Sequence, residues 1–283
     1  MGNWRRLGII AGAGALPVLL ANAASGGGNK PFVVRLEGVA EERFDGIDKA
    51  TLGIAEVGRI IRALKDAGCD AVALAGVVRR PDFSALKPDW RGMALLPRVI
   101  AAAGKGDGAL LAVLVETLEA EGFRVVGAED VLADLAAPAG AFGSVGPETS
   151  DWPDITKAAA IVAALGPFDV GQAAIVAGGF TLGIEAAEGT DAMLERCAPL
   201  HGALCGPERR GVLVKRPKPG QELRVDLPTI GVETVRRASA VNLAGIAVEA
   251  GAALVIDREG VIREANAAGL FIYGFNVSEL KQP

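Results

Sequence analysis

In the first half of the chain, short apolar runs alternate with stretches whose apolar residues recur at helical spacing. Leu7 to Ile10 reads as a buried strand, Gly12-Ala13-Gly14 turns the chain, and a helix begins near Leu16. Phe32 to Leu36 is a second strand. Ile54, Val57, Ile60, Ile61 and Leu64 mark one face of a helix, and Gly68 stands where a helix ends. Ala71 to Ala75 predicts a third strand, Leu95 to Ala103 and Leu110 to Ala120 predict helices, and Arg124 to Val126 predicts a fourth strand. This alternation predicts a parallel sheet covered on both faces.

The periodicity stops between Pro138 and Pro153, where Pro, Gly and Ser dominate. A first domain over 1–140, a linker over 141–153 and a second domain over 154–283 are expected. In the second half, Asp154 is placed to cap a helix running to Leu165. Gln172 to Val176 and Phe180 to Glu185 flank Gly178-Gly179, a hairpin signal. Gly189-Thr190-Asp191 opens a helix through Arg196, Gly211 to Lys215 is a strand, and Val232 to Ala240 is a helix. Ile246 to Glu249, Leu254 to Asp257 and Val261 to Arg263 read as closing strands. The expectation is α/β throughout, with a mixed second domain that lacks a clear βαβ repeat.

Composition narrows the chemistry. Of 283 residues, 51% are hydrophobic but only 5% aromatic, so the cores are built from Ala, Val, Leu and Ile. A net charge of −5 gives no global field for nucleic acid, so anion binding needs a local basic site. Cys69, Cys197 and Cys205 fit neither a disulfide framework nor a zinc spacing. His201 is the single histidine, which argues against histidine-rich metal sites and Ser-His-Asp triads. Arg5-Arg6, the uncharged run from Leu7 to Asn29 and Ala21-Asn22-Ala23 resemble a signal peptide. Pro17 and the glycines favour a strand, turn and helix instead, in a cytoplasmic protein.

Four segments carry candidate chemistry. Gly12, Gly14, Ala15 and Leu16 lie between a strand and a helix N-terminus, where amides can approach a phosphate. The third glycine and the acidic residue of a dinucleotide site are missing, which disfavours a nicotinamide reductase. Arg79, Arg80 and Lys87 follow the third strand, on the side where open parallel sheets bind ligands. Glu185, Glu188, Thr190 and Asp191 crowd one strand-to-helix turn, a donor set suited to Mg²⁺. From Lys215 to Thr229, four cations surround a glycine turn and Asp226, a pattern that can neutralise a diphosphate. Capping and solvated charge are the competing readings of these segments.

The last two segments resemble a known family. Asp169-Val-Gly171-Gln172, Glu185-Ala-Ala-Glu188-Gly189-Thr190-Asp191-Ala-Met-Leu194, Lys218-Pro-Gly-Gln221 and Asp226-Leu-Pro-Thr229-Ile-Gly231 are similar to second-domain motifs of the LpxI-type UDP-2,3-diacylglucosamine pyrophosphatases. Leu7-Gly-Ile-Ile-Ala-Gly12-Ala-Gly14-Ala-Leu-Pro17 and Leu95-Leu-Pro97-Arg98 are similar to its first domain. Gly106-Asp107-Gly108 departs from the more acidic pair expected there. The resemblance implies a Rossmann-like first domain, a mixed α/β second domain with substrate held between them, and a homodimer. It implies hydrolysis of UDP-2,3-diacylglucosamine to UMP and 2,3-diacylglucosamine 1-phosphate (lipid X), dependent on Mg²⁺ or another divalent cation. Asp226 matches the family's key carboxylate, as metal ligand or base, and Asp191 is the second metal or water contact. Lys215 and Arg224 are the diphosphate contacts implied, with Gln172, Thr190, Gln221 and Thr229 as polar supports. An acylated substrate also implies transient contact with the inner-membrane surface, without a spanning helix. The alternative is a protein that binds a nucleotide or acyl ligand without turning it over.

Overall fold

The structure is a computed structural model that describes residues 3–26, 30–40, 43–78, 82 and 84–280. It divides into two compact units. The first spans Met1–Ala133 with Arg224–Asp226, and the second spans Asp134–Leu223 with Leu227–Pro283. The division thus falls before the 141–153 segment that the sequence marks as a linker.

The first unit contains β1 (Leu7–Ala11), α1 (Leu16–Ser25), β2 (Phe32–Leu36), β3 (Asp48–Leu52), α2 (Val57–Asp66) and β4 (Ala71–Ala75). It continues with α3 (Trp90–Ala103), α4 (Asp107–Ala120), β5 (Arg124–Val125) and α5 (Ala128–Val131). The strands form a parallel sheet in the order β3-β2-β1-β4-β5, the Rossmann-like arrangement. Strand β3 is unanticipated because Asp48-Lys-Ala-Thr-Leu52 is polar. Its place at the sheet edge allows this, with only Leu52 buried. Ile60, Ile61 and Leu64 of α2 are buried in one cluster with Val34 and Val72. Each contributes about 1.5–3 kcal/mol on leaving water, which fixes the helix on the sheet more firmly than propensity alone.

The strand order reverses beside β1, so the loops after β1 and β4 are neighbours at the ligand-binding edge of such sheets. They are joined to each other. Gly12 donates to the Ala75 carbonyl (2.8 Å), and Ala13 and Val77 exchange backbone hydrogen bonds of 2.9 and 2.8 Å. A side chain at Gly76, where φ is +90°, would meet the Ala13 carbonyl at 2.6 Å, so glycine is required for this approach.

The second unit begins with β6 (Gly140–Ala141), α6 (Trp152–Leu165), β7 (Ala173–Ala177), β8 (Phe180–Ile184), α7 (Gly189–Cys205) and β9 (Val212–Lys215). Then come β10 (Thr229–Ile230), α8 (Val232–Ala240), β11 (Gly245–Glu249), β12 (Leu254–Val255), α9 (Arg258–Ala268) and β13 (Phe271–Phe275). The main sheet runs β6-β13-β11-β9-β7-β8, with β10 and β12 paired separately. Strands β9, β11 and β13 are parallel, while β6, β7 and β8 pair antiparallel. Side-chain alternation divides the core between the two faces. Ile175, Leu213 and Ile246 pack with Met193, Val235 and Val261 of α7, α8 and α9. Val176, Val214 and Ala247 pack with Ile155, Ala158 and Val162 of α6.

Several local expectations are corrected. Val261 to Arg263 lies inside α9, and β9–α8–β11–α9–β13 is a parallel βαβαβ unit that the sequence pattern did not show. Helix α7 continues past Arg196 through Pro199 to Cys205. Asp154 is not a cap. It lies in the first turn of α6, 4% exposed, and accepts from the amides of Gly178 and Gly179, both at 2.8 Å. A buried carboxylate thereby holds the hairpin turn, where positive φ leaves both amides pointing inward. Among the described residues, no helix is long and apolar enough to cross a membrane.

Candidate active site

The site of the second unit follows from strand direction. Strand β9 ends at Lys215, which pairs in register with Val248 of parallel β11 and with Ala173 of antiparallel β7. The start of β7 and the end of β8 therefore lie at the carboxyl edge of β9. Gln172, Glu185 and Lys215 converge there, and the turn after β8 leads into α7 with Thr190 in its first turn.

Lys215 is 6% exposed and Glu185 7%. An ammonium that deep must be compensated. Its Nζ donates to Thr190 Oγ1 and to the Thr229 carbonyl, each at 2.9 Å. The Thr190 hydroxyl in turn donates to Glu185 Oε1 at 2.6 Å, and the other Glu185 oxygen accepts from the Gln172 amide at 3.0 Å. Lysine and glutamate are thus linked through one hydroxyl. Gly171 lets the strands approach, since a Cβ there would lie 2.1 Å from the Glu185 carbonyl.

A second layer fixes the loop after β9. Lys218 Nζ pairs with Asp169, a residue in left-handed backbone at φ 51°. The Lys218 amide donates to Gln221 Oε1 at 2.8 Å, and Gln221 reaches Gln172 Oε1 at 3.4 Å. Arg216 donates its amide to the Gln172 carbonyl at 3.0 Å, and its guanidinium lies 2.9 Å from Glu249 at the end of β11. Both members of that pair are largely buried, with 14% and 19% of the side chain exposed.

The structure therefore brings Gln172, Thr190, Lys215, Gln221 and Thr229 together. Asp191 is on the same turn but faces outward, more than half exposed, with Arg237 of α8 3.6 Å away. Glu188 pairs with Arg196, and its own backbone amide and that arginine hold it below the usual glutamate range. Arg224 and Asp226 group with the first unit, where Arg224 donates to Glu119 at 2.6 Å. Gly12, Gly14, Ala15 and Leu16 form the turn into α1, and the Gly12 amide is bound to β4. Arg79 and Arg80 lie outside the described residues. Glu249 had no site role in the sequence reading, Asp169 stood only in a family motif, and Glu185 and Arg216 were read as a metal donor and a diphosphate cation rather than as the structural partners they are here. The available signal was Lys215 itself, a cation ending an otherwise apolar strand, which demands a buried partner nearby.

Among the described residues, no three His, Cys, Asp or Glu side chains gather as a metal-ligand group. Mg²⁺ does not demand one, because it commonly takes one or two carboxylates and completes its shell with water and substrate phosphate. Asp191 fits such a role, since 3.6 Å to Arg237 is longer than a hydrogen bond and leaves the carboxylate in solvent.

The comparisons with known proteins bear on the whole chain. A family model of the LpxI N-terminal domain matches residues 6–135, and one of the LpxI C-terminal domain matches residues 138–273. The UDP-2,3-diacylglucosamine pyrophosphatase LpxI of Caulobacter vibrioides is 50% identical over 277 residues, covering 97% of this chain and 99% of that protein. The chain belongs to the LpxI family. The Lys215–Thr190–Glu185 network lies wholly within the part matched by the LpxI C-terminal domain, and the Gly12–Gly76 turn within the part matched by the LpxI N-terminal domain.

Proposed function

We propose that this LpxI-family chain hydrolyses UDP-2,3-diacylglucosamine, with water attacking one phosphorus and the anhydride P–O bond breaking. The products are UMP and 2,3-diacylglucosamine 1-phosphate. The observation that carries this reading within the fold is Lys215, a buried ammonium fixed at the carboxyl edge of parallel strands. A cation held there needs little reorganisation as negative charge grows on the departing phosphate oxygen. Thr190 and Glu185 keep its Nζ in place, and the Lys218–Asp169 and Arg216–Glu249 pairs set the shape of the adjoining loop. Asp226 takes the proton from the attacking water or binds the metal, and Asp191 supplies a second carboxylate. A divalent cation, when bound, would polarise the phosphoryl oxygens. The 50% identity to a protein named for this substrate supports the substrate class.

The test is a product assay on UDP-2,3-diacylglucosamine with Mg²⁺ and with EDTA, for the parent and Asp226→Ala. The expected outcome is metal-dependent release of UMP and the lipid monophosphate. Losing a base in this position lowers the rate by about 10²- to 10⁴-fold. If the parent binds the nucleotide but releases no product with any divalent metal, the chain is a binding protein and the hydrolytic reading falls.

A further inference from the structure

Helix α3 of the first unit exposes large apolar side chains in a continuous strip. Trp90, Met93 and Ile100 are 70%, 64% and 51% exposed. On helical geometry, Trp90, Met93, Pro97 and Ile100 fall within an arc of about 80° along roughly 15 Å of helix. Ala94 and Ala101 are exposed on the same side, and none of these positions is acidic. The opposite side, with Gly92, Ala102 and Ala103, is buried. Scattered exposed apolar residues need no explanation, but a contiguous strip on one helix marks an interaction surface.

Cations border the strip. Arg91 and Arg98 lie two turns apart on one flank, Lys87 precedes the helix and Lys105 follows it. The Arg91 guanidinium sits 5.2 Å from the Trp90 ring centre. Beside that tryptophan, Arg62, Lys65 and Arg91 line a depression of about 220 Å³ together with Asp66 and Glu121. Glu121 pairs with Lys65 and Arg91, and Glu116 pairs with Arg98. Among the described residues, Arg62, Lys87 and Lys105 have no carboxylate partner, against one unpaired carboxylate, Asp66, so the named border groups remain cationic on balance.

Apolar strip, tryptophan and basic flank together complement one kind of surface. We propose that this face of α3 docks the protein on an anionic phospholipid bilayer. Trp90, Met93 and Ile100 enter the boundary between headgroups and acyl chains, while Arg62, Lys87 and Lys105 meet lipid phosphates. The proposal rests on the hydrolytic reading only in that a diacylated substrate resides in a bilayer.

The test uses the intact chain and sedimentation with vesicles of phosphatidylcholine, with and without phosphatidylglycerol and free of any UDP-sugar. Binding is expected only to the anionic vesicles, weakening as salt rises, with tryptophan emission shifted to the blue in the parent and not in the triple variant that lacks Trp90. The triple variant Trp90→Ala, Met93→Ser, Ile100→Ser should partition about tenfold less. The double variant Arg62→Glu, Lys105→Glu should lose the dependence on anionic lipid. Both should hydrolyse micelle-dispersed substrate like the parent. Equal vesicle binding by parent and triple variant would overturn the proposal. So would loss of a dimer in light scattering, which assigns the strip to a second copy. A raised KM on micelles with unchanged vesicle binding would also overturn it, assigning the strip to the substrate's acyl chains. A parent that hydrolyses nothing defeats the functional reading alone, because the vesicle arm contains no substrate.

Discussion

Replacing Thr190 with valine removes one oxygen from between two buried ionised groups. That oxygen accepts from Lys215 at 2.9 Å and donates to Glu185 at 2.6 Å, so the substitution deletes two charge-assisted hydrogen bonds. Each is worth about 1.5–3 kcal/mol, but they share an atom and are not additive. Water can enter a half-buried position and recover part of the loss. The expected destabilisation is about 2 kcal/mol, roughly a 30-fold change in the unfolding equilibrium. Thr190→Ser keeps the hydroxyl and loses one methyl group, at a cost of about 0.8 kcal/mol or less. Urea titration followed by Trp152 reports on the second unit, because that ring packs edge-on against Tyr273 at 5.4 Å. Trp4 and Trp90 are replaced by phenylalanine in this background so that they do not contribute. The valine variant should unfold at lower urea than the serine variant, and only valine should lower kcat/KM appreciably. If valine proves as stable as serine, the hydroxyl link is not what holds Lys215, and the argument from its fixed charge fails.

Two further outcomes are expected. Burial pushes the Cys69 thiol up to about 11 and also raises Cys197 and Cys205. At mildly alkaline pH a disulfide reagent should therefore titrate the native chain slowly and only at half-buried Cys205, with Cys205→Ser nearly inert until urea is added. Glu121 is held below the usual glutamate range by its hydrogen bond to Lys65 and by Arg91. A depressed carboxylate stabilises above its unfolded value of 4.5 and loses that contribution as pH falls through the folded value. Acid should thus destabilise the parent more steeply than Glu121→Gln over that window, as thermal melts at successive pH values would show.

Strands buried on both faces were legible because they are nearly uninterrupted apolar runs, as in β1, β4 and β9. Strand β3 escaped because an edge position tolerates Asp48, Lys49 and Thr51. The end of the chain misled for a different reason. Val261-Ile262 is too short to show a period, while Asp257, which accepts from Gly260 at 3.1 Å, starts a helix closed by Gly269 at φ +64°. Reading α9 as a strand removed the second crossover, which concealed the parallel unit ending in β13.

The candidate site was legible in residue type but not in pairing. Glu185, Glu188 and Asp191 lie within one short turn, and their spacing gives no reason to treat them differently. The fold separates them by direction. Glu185 closes an antiparallel strand and faces Lys215 across the sheet edge, whereas Glu188 and Asp191 start α7 and turn outward to Arg196 and Arg237. One member therefore neutralises a buried ammonium and is spent structurally. Asp191 keeps a solvated carboxylate. A count of acidic residues in the turn overstates the number available to a metal. Asp154 teaches the same lesson, since it reads as a helix cap yet serves two hairpin amides. The useful question for each such carboxylate is which unsatisfied donor the fold brings within 3 Å of it.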